Sequence, residues 1–509
     1  MAIFSALPPL RSYEIKPTAG MAIDVILIWL VIHCLSLARA KTRVKAPLLF
    51  SQLSTTSRAK KWLHECSDVM TSGYNLFRHQ KIPLFRVTIE DGRELVILNA
   101  QFLKELRSLP DGVLSSEVGI NQDMLHRYSH VKVVDPIGQN AIRSDLTPGL
   151  PRLMPTIAAE AKAAINAHFP HEANDWVPVV VFPMVLNSVA QVSARLFVGA
   201  DLCRDPRWLK CSQTAAIAAF ATISAMKRWP VWLRPLAQYF VPEKLELENA
   251  RAEATKILME THAREIRPSS TEEKEDFLIT WIGKKNTAWT KDFVAQADLQ
   301  LELSVAAIHT TTMALTHILY DLASHPDYIE MLREEVNAAL SKTGGVYNRD
   351  CIAAMVKTDS FMKESQRLHP PALTTFKRRV MRDITLSDGT YLPQGISIEV
   401  DSSARYHDPA HFENPESFDG LRFSRLREQT KQKGAHQYVA SNEDYVFWGQ
   451  GKHACPGRFF AANEIKTLLA MFILDYDIKL PPGTQRPADI HVGSFINPHP
   501  LAHMLVRKA

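Results

Sequence analysis

No Cys-x-x-C pair occurs in the 509 residues, and the six cysteines, at positions 34, 66, 203, 211, 351 and 455, show no paired spacing. That pattern argues against a disulfide framework or a zinc site, and for a reducing compartment around the main body. Charge of one sign is barely in excess: the formal net charge is +5 and scattered, so nucleic-acid binding has little support. A Gly-x-Gly-x-x-Gly nucleotide fingerprint is missing. Neither an internal repeat nor a glycine-rich or proline-rich linker divides the body. With 46% hydrophobic residues the chain can bury a large core, and one large domain is expected.

Residues 1–20 form a short mixed segment. From Ala22 to Ala38 the chain is almost wholly apolar, and Arg39, Lys41, Arg43 and Lys45 follow at once. Such a run is near the lower limit of the roughly 17–25 residues that span a bilayer. Its basic flank places the C-terminal side in the cytoplasm. A signal peptide would carry its basic residues before the apolar run rather than after it. Residues 21–40 are therefore read as a single-pass transmembrane anchor ahead of a domain at 41–509. Asp24 and His33 interrupt the run, so a membrane-surface helix or a buried core helix is the alternative.

Two hairpins stand out, Leu84 to Leu98 around Asp91-Gly92 and Ile384 to Val400 around Asp388-Gly389. Between them the apolar spacing predicts helices over Arg152 to Phe169, Glu243 to Arg267 and Tyr328 to Ser341. The longest helical pattern runs from about Asp292 to Ser324 and is stopped by Pro326. The fold class is mainly α with a small β-sheet region. The stretch from Lys227 to Pro235 interleaves tryptophans with arginines, which suits a membrane interface; a proline-broken loop with its tryptophans in the core is the equal alternative.

The last cysteine lies in Trp448-Gly449-Gln450-Gly451-Lys452-His453-Ala454-Cys455-Pro456-Gly457-Arg458. The glycines let the backbone turn tightly and bring amides close to the sulfur. Pro456 stands where a helix begins, and helix formers run on to Leu469, so Cys455 lies at a positive helix N-terminus that favours the ionised thiol. These are the requirements of a thiolate ligand to haem iron. Taken alone, a Cys-Pro-Gly before a core helix is an ordinary loop cysteine. In the middle of the longest helix lies Ala306-Ala307-Ile308-His309-Thr310-Thr311-Thr312, where small residues let a flat ligand approach. A threonine run is unfavourable there, and a hydroxyl can bond to the helix or to a ligand. Glu364 and Arg367 share one helix face, and Arg422 follows in a proline-punctuated segment.

In this order the motifs resemble the cytochrome P450 superfamily. Its cysteine loop has an aromatic residue, then a glycine, a basic residue two before the ligand and a glycine two after; Trp448, Gly451, His453, Cys455 and Gly457 occupy those places. The aromatic is usually Phe, and here Phe447 precedes Trp448. The resemblance implies the cytochrome P450 fold and haem b with Cys455 as axial thiolate and metal ligand. It also implies a monooxygenase using O2 and NADPH-derived electrons. With no nucleotide fingerprint in the chain, these come from a separate NADPH–cytochrome reductase, with cytochrome b5 as a second donor. Lys452, Arg458 and Lys466 are expected to form a basic face for an acidic reductase.

By the same resemblance Thr310, beside Thr311, is the residue that helps deliver protons for oxygen activation. His309 stands where an acid is usual; it titrates near neutral pH, as a relay through water requires. Fungal members often carry Ala-Ile-His-Thr-Thr here. Glu364, Arg367 and Arg422 lock the wall behind the cysteine loop, and Arg143, Arg379 and His453 meet the haem propionates. The family's tryptophan four residues before Arg143 is replaced by Gln139. Ala306, Ala307, Thr374, Thr375, Phe376, Phe495 and Ile496 fall in stretches that surround the distal pocket, so the substrate is hydrophobic. The whole looks most like fungal secondary-metabolism oxygenases acting on diterpenes and indole diterpenes, including ent-kaurene oxidase-like enzymes. A terpenoid substrate, with a steroid, polyketide or fatty acid as the alternatives, and the endoplasmic reticulum membrane are expected. The rival readings are a haem-thiolate isomerase or dehydratase working without O2, and a non-catalytic haem-binding membrane protein.

Overall fold

The first hairpin forms as its sequence dictates. Strands β1 (Leu84–Thr88) and β2 (Glu94–Leu98) pair antiparallel with Leu84 opposite Leu98. The chain reverses where Gly92 takes φ +82° and the Asp91 carboxylate accepts from the Arg93 amide at 3.2 Å. The computed structural model describes residues 44–132, 135–170, 175–265, 276–286, 288–430, 433–442 and 445–509, of which 46–509 make one unit. The expected anchor at 21–40 lies outside the described residues. Among the described residues no helix is long and apolar enough to cross a membrane.

After β2 come strand β3 (Leu114–Ser115) and helix α1 (Ser116–Asp123), whose first turn is capped by Ser115. Helix α2 (Thr147–His168) begins earlier than its apolar pattern suggested and runs through Pro151 and Pro155. Both prolines lie on the exposed side, where water can take the carbonyls they leave unbonded. Strand β4 (Val177–Val180) leads into α3 (Val181–Phe197), then α4 (Pro206–Arg228), capped by Asp205, and α5 (Pro242–Glu265).

Helix α6 (Phe293–Ser324) is the axis of the unit, capped by Asp292 and ended before Pro326. At ~1.5 Å per residue it is about 48 Å long, enough to cross the whole unit. Helices α7 (Asp327–Lys342) and α8 (Val356–Leu368) follow, then β5 (Thr374–Val380).

The second expected hairpin forms only at its tip. Strands β6 (Ile384–Thr385) and β7 (Tyr391–Leu392) pair, but Pro393 and Gly395, at φ +88°, turn the chain away. Strand β8 (Ser397–Asp401) then joins a different sheet, giving the order β1-β2-β8-β5-β3, with β2 and β8 parallel and the other pairs antiparallel. After the cysteine loop come α9 (Arg458–Asp475), β9 (Tyr476–Lys479), the hairpin of β10 (Ile490–Val492) and β11 (Phe495–Asn497), and β12 (His503–Lys508), the middle strand of β4-β12-β9. The main core collects apolar side chains of α2, α3, α6 and α9. A smaller cluster under the first sheet holds Phe85, Ile97, Leu373 and Ile496.

Candidate active site

The loop entering α9 is closed by its own backbone: the Cys455 amide donates to the Trp448 carbonyl at 2.6 Å. Gly449 and Gly451 sit at φ +69° and +66°, and a Cβ on Gly451 would lie 3.0 Å from the Arg107 carbonyl oxygen. Neither position accepts a side chain without strain. Trp448 Nε1 donates to the Tyr438 carbonyl at 2.8 Å, the Val446 amide to the Tyr406 hydroxyl at 3.0 Å, and Thr375 Oγ1 to the Val446 carbonyl at 3.2 Å. Phe447 instead packs on Tyr406, with centroids 4.4 Å apart.

Burial pushes the Cys455 thiol up. The Gly457 amide, the Arg458 charge and the Arg458 amide pull the other way by stabilising sulfur charge. Arg458 also donates to the Cys455 carbonyl at 2.9 Å.

Two places near these motifs are open. A Cβ built on Gly457 would meet nothing within 4 Å. Midway along α6, Ala306 and Thr310, one turn apart, are exposed, although Val305, Ile308, Thr311, Thr312 and Met313 around them are buried. A stripe of open space thus lies against the centre of a helix whose other faces are packed. Thr310 Oγ1 donates to the Ala306 carbonyl at 2.8 Å. His309 stacks on Phe220 of α4, centroids 4.5 Å apart at 28°, and burial pushes it down to about 4, so it is neutral at pH 7. Phe495 meets Phe220 edge-on at 6.4 Å.

Sequence reasoning missed Glu302, one turn before Ala306. Burial, helped by Asp135 and opposed by Lys132, pushes it up to about 8, so it holds a proton at neutral pH.

Behind the loop, Glu364 and Arg367 are fully buried and paired through two bonds, Arg367 Nε to Oε2 at 2.9 Å and Nη2 to Oε1 at 2.8 Å. Arg422 Nε lies 3.2 and 3.1 Å from the same two oxygens. Arg367 spends its other donors on the carbonyls of Tyr406, Pro415 and Ser417, and Arg422 on those of Glu413, Asn414 and Ser417. The expected triad is therefore assembled, and it clamps the segment leading to Cys455.

The cations divide. Arg143 Nη2 donates to the Lys452 carbonyl at 2.9 Å, and His453 Nε2 lies 2.9 Å from Asp111, so both border the loop. Arg379 turns to Ser397 Oγ at 3.1 Å. Its neighbour Arg378 is the one whose charge reaches His453 and Asp111; burial lowers it to about 10. The Arg378 guanidinium itself donates to Ser116 Oγ at 3.1 Å and to the Lys377 carbonyl at 2.9 Å. The register slips between Thr375 and Arg378, and Phe376 takes φ +59°, so strand alternation could not say which arginine faces the loop.

Lys452 pairs with Asp111, but Lys466, expected on a basic surface, is buried and bonded to Asp359 at 2.6 Å. It sits on the inward face of α9.

Of the expected pocket residues, Ala306 borders the open stripe, Ala307 and Phe495 stay half-buried, and Thr375 is tied to the cysteine loop. Phe376 is buried under the Arg378 guanidinium at 4.0 Å. Thr374 is buried and bonded to Glu399, and Ile496 belongs to the cluster under the sheet.

A second polar cluster lies elsewhere. His317, His369 and Asp489 bring ligand atoms within 4.8 Å of one another. The Arg486 guanidinium fills that space, bonding Asp321, Asp489 at 2.8 Å and His317 Nδ1 at 3.2 Å. It is a charge-balanced network rather than a metal centre.

One soft sulfur donor at a helix N-terminus, with cations fit for carboxylates bordering its loop and an open stripe at the centre of α6, suits a thiolate-held haem. Comparison with known proteins gives the same class: the Cytochrome P450 family model matches residues 141–506, and the chain belongs to that family. It is an oxidoreductase of the monooxygenase type. It is similar to cytochrome P450 monooxygenase AN1598 of Emericella nidulans, with 35% identity over 86% of this chain and 82% of the relative. It is also similar to cytochrome P450 monooxygenase olcJ of Penicillium canescens, with 35% identity over 84% and 81%. Ent-kaurene oxidase P450-4 of Gibberella fujikuroi is 32% identical over 94% of this chain and 96% of the relative.

Proposed function

We propose that Cys455 holds haem b through its thiolate and that the protein inserts oxygen from O2 into a hydrophobic terpenoid. Electrons come from a separate NADPH–cytochrome reductase, with cytochrome b5 as a second donor. The observation that carries this reading is the exposed Ala306–Thr310 stripe at the centre of α6, where Val305, Ile308, Thr311 and Thr312 beside it are buried. Likeness to ent-kaurene oxidases over nearly the whole chain supports a diterpene-sized substrate.

When bound, a thiolate-held haem supplies O–O bond cleavage. The chain's own groups do the rest. Amides of Gly457 and Arg458 hold the sulfur's charge, and Arg143, His453 and one of Arg378 and Arg379 would hold the propionates. The triad of Glu364, Arg367 and Arg422 keeps the loop wall in place. Thr310 keeps a hydroxyl proton at the open stripe; its bond to Ala306 can be exchanged for one to a guest. Glu302, two turns earlier, is an acid that retains its proton at neutral pH. Thr311 is buried beside Thr310 and sets the helix packing. Ala306, Ala307 and Phe495 exclude water from a hydrocarbon guest, whereas Thr374, Phe376 and Ile496 serve the packing of the first sheet and Thr375 holds the cysteine loop.

The protein is proposed to reside in the endoplasmic reticulum membrane through residues 21–40, with its catalytic domain cytoplasmic. Support for a further membrane contact comes from the exposed run Trp229, Trp232, Leu236, Tyr239 and Phe240, the last two 76% and 80% exposed. So much contiguous apolar surface, next to Arg228, fits a lipid interface.

The test is the difference spectrum of reduced, carbon-monoxide-bound protein, native and Cys455→Ser, followed by ent-kaurene turnover with a reductase. A strongly red-shifted band lost in the variant, with oxygenated product from native protein, is expected. No such band in folded, haem-loaded protein would overturn the ligand assignment; a band without product would overturn the substrate.

A further inference from the structure

The half-buried rings around the open stripe belong to helices whose neighbouring residues are packed. On α4, Ala216, Ala218, Ala219 and Ile223 are buried, while Phe220 between them is not. On α6, His309 keeps partial exposure beside buried Ile308. These two rings stack at 4.5 Å, and Phe495 closes the corner at 70° to Phe220. The stack covers one face of the His309 imidazole, burial holds the ring neutral, and among the described residues no hydrogen bond or ion pair engages its nitrogens.

Both ring supports are fixed by one buried ion cluster. Seven residues beyond Phe220, Lys227 Nζ bonds Glu90 at 2.7 Å and Asp123 at 3.0 Å. Lys377 bonds the other Asp123 oxygen at 2.7 Å, and its ammonium lies 5.6 Å from the Phe495 ring centre. Helix α4 and the Phe495 corner are thus tied to the same carboxylate, so the wall cannot slide freely over α6.

Resting on the reading under Proposed function, we propose that His309 is a positioning residue. Its imidazole, stacked on Phe220, forms a rigid apolar wall that sets which rigid polycyclic hydrocarbons enter beside Ala306 and Thr310 and how they lie. Proton delivery then falls to Thr310 and acids other than position 309.

The experiment compares His309→Ala, His309→Phe and Phe220→Ala. Two haem-directed probes are used, imidazole and a bulky phenyl-substituted imidazole, with absorption shifts read as binding curves. One aromatic contact between the wall and the probe's phenyl group, worth up to ~1.5 kcal/mol, predicts about a tenfold change in the dissociation constant of the bulky probe in His309→Ala, and its restoration in His309→Phe. Imidazole, too small to need the wall, should bind all three alike. With substrate, His309→Ala should broaden the product mixture, and His309→Phe should restore it without releasing extra peroxide per NADPH. Rescue by a ring that cannot titrate is what a relay would not allow. If His309→Phe releases peroxide as His309→Ala does, the proposal falls.

A second readout needs neither haem nor substrate. Diethylpyrocarbonate should modify His309 slowly in native protein and rapidly in Phe220→Ala, scored by peptide mass spectrometry. Equal rates overturn the stack. Failure of imidazole to shift the native spectrum would instead count against Cys455 as ligand, leaving the stack to be decided by the modification rates.

Discussion

Replacing Glu364 by alanine removes the one carboxylate that two guanidinium groups share. Arg367 and Glu364 are fully buried and Arg422 nearly so. Breaking a buried ion pair by deleting one partner costs ~3–5 kcal/mol, because the remaining charge stays desolvated. Two features push in opposite directions here. Each guanidinium still faces carbonyls, those of Tyr406, Pro415 and Ser417 for Arg367 and of Glu413, Asn414 and Ser417 for Arg422, which softens the loss. Two like charges would then stand side by side, and the Asp419 amide would lose its acceptor, which deepens it. The expected loss is about 4 kcal/mol, against a folded domain that is stable by ~5–15 kcal/mol. Urea titration followed by tryptophan fluorescence should show a lowered midpoint with unchanged slope. The double variant Glu364→Ala/Arg422→Leu should lose less than the two single losses combined, because it buries one uncompensated charge fewer. A Glu364→Ala loss below about 1 kcal/mol would refute the reasoning, since that is the value of an exposed pair.

At the second cluster, burial opposes a charge on His369, but Asp321 and Asp489 raise its affinity for a proton above the ordinary value. Its stabilisation is therefore complete below the unfolded value of ~6.5 and disappears as pH rises through the raised folded value. His369→Gln should abolish that alkaline part of the stability profile in thermal melts. Gly451→Ala should cost ~1–2 kcal/mol from its φ of +66° alone, and should speed alkylation of Cys455 by loosening the loop. Arg378→Leu should weaken haem retention more than Arg379→Leu, measured by transfer to apomyoglobin; the reverse order would restore Arg379 as the propionate partner. Replacing Trp232 and Phe240 together by serine should reduce binding to phosphatidylcholine vesicles several-fold in protein lacking residues 1–43, and unchanged binding would refute a lipid role for that run.

What could be read from the sequence was local. The Gly449 and Gly451 turns, the start of α9 after Pro456 and the span of α6 follow from backbone preference and capping, and Glu364 and Arg367 meet because they are three apart on a helix. What escaped depended on pairing across the chain. Arg378 and Arg379 part, one to Ser116 and the other to Ser397, beyond a slipped register at Phe376 that strand alternation does not announce. Lys466 points inward because α9 is buried on nearly every side, so a basic residue there needed Asp359. The second hairpin broke at Pro393 and Gly395 because β8 gains more by pairing with β2 and β5 than with its neighbour in sequence. No motif announces the Phe220–His309 stack, since its rings come from helices far apart in the chain.

The cysteine loop owes its shape to distant partners: Thr375 across 71 positions, Tyr406 across 40, and Arg107 and Arg143 across 343 and 309. Contacts of such separation form late, because the entropy of closing large loops must be overcome before they reward the chain. During biosynthesis, then, Cys455 is an unshaped thiol through most of assembly and gains its cradle only when the sheet and the Arg107 region have docked. The shape around the thiol is thus a property of the finished fold, so a change at Arg107, Arg143 or Thr375 reaches Cys455 without touching it.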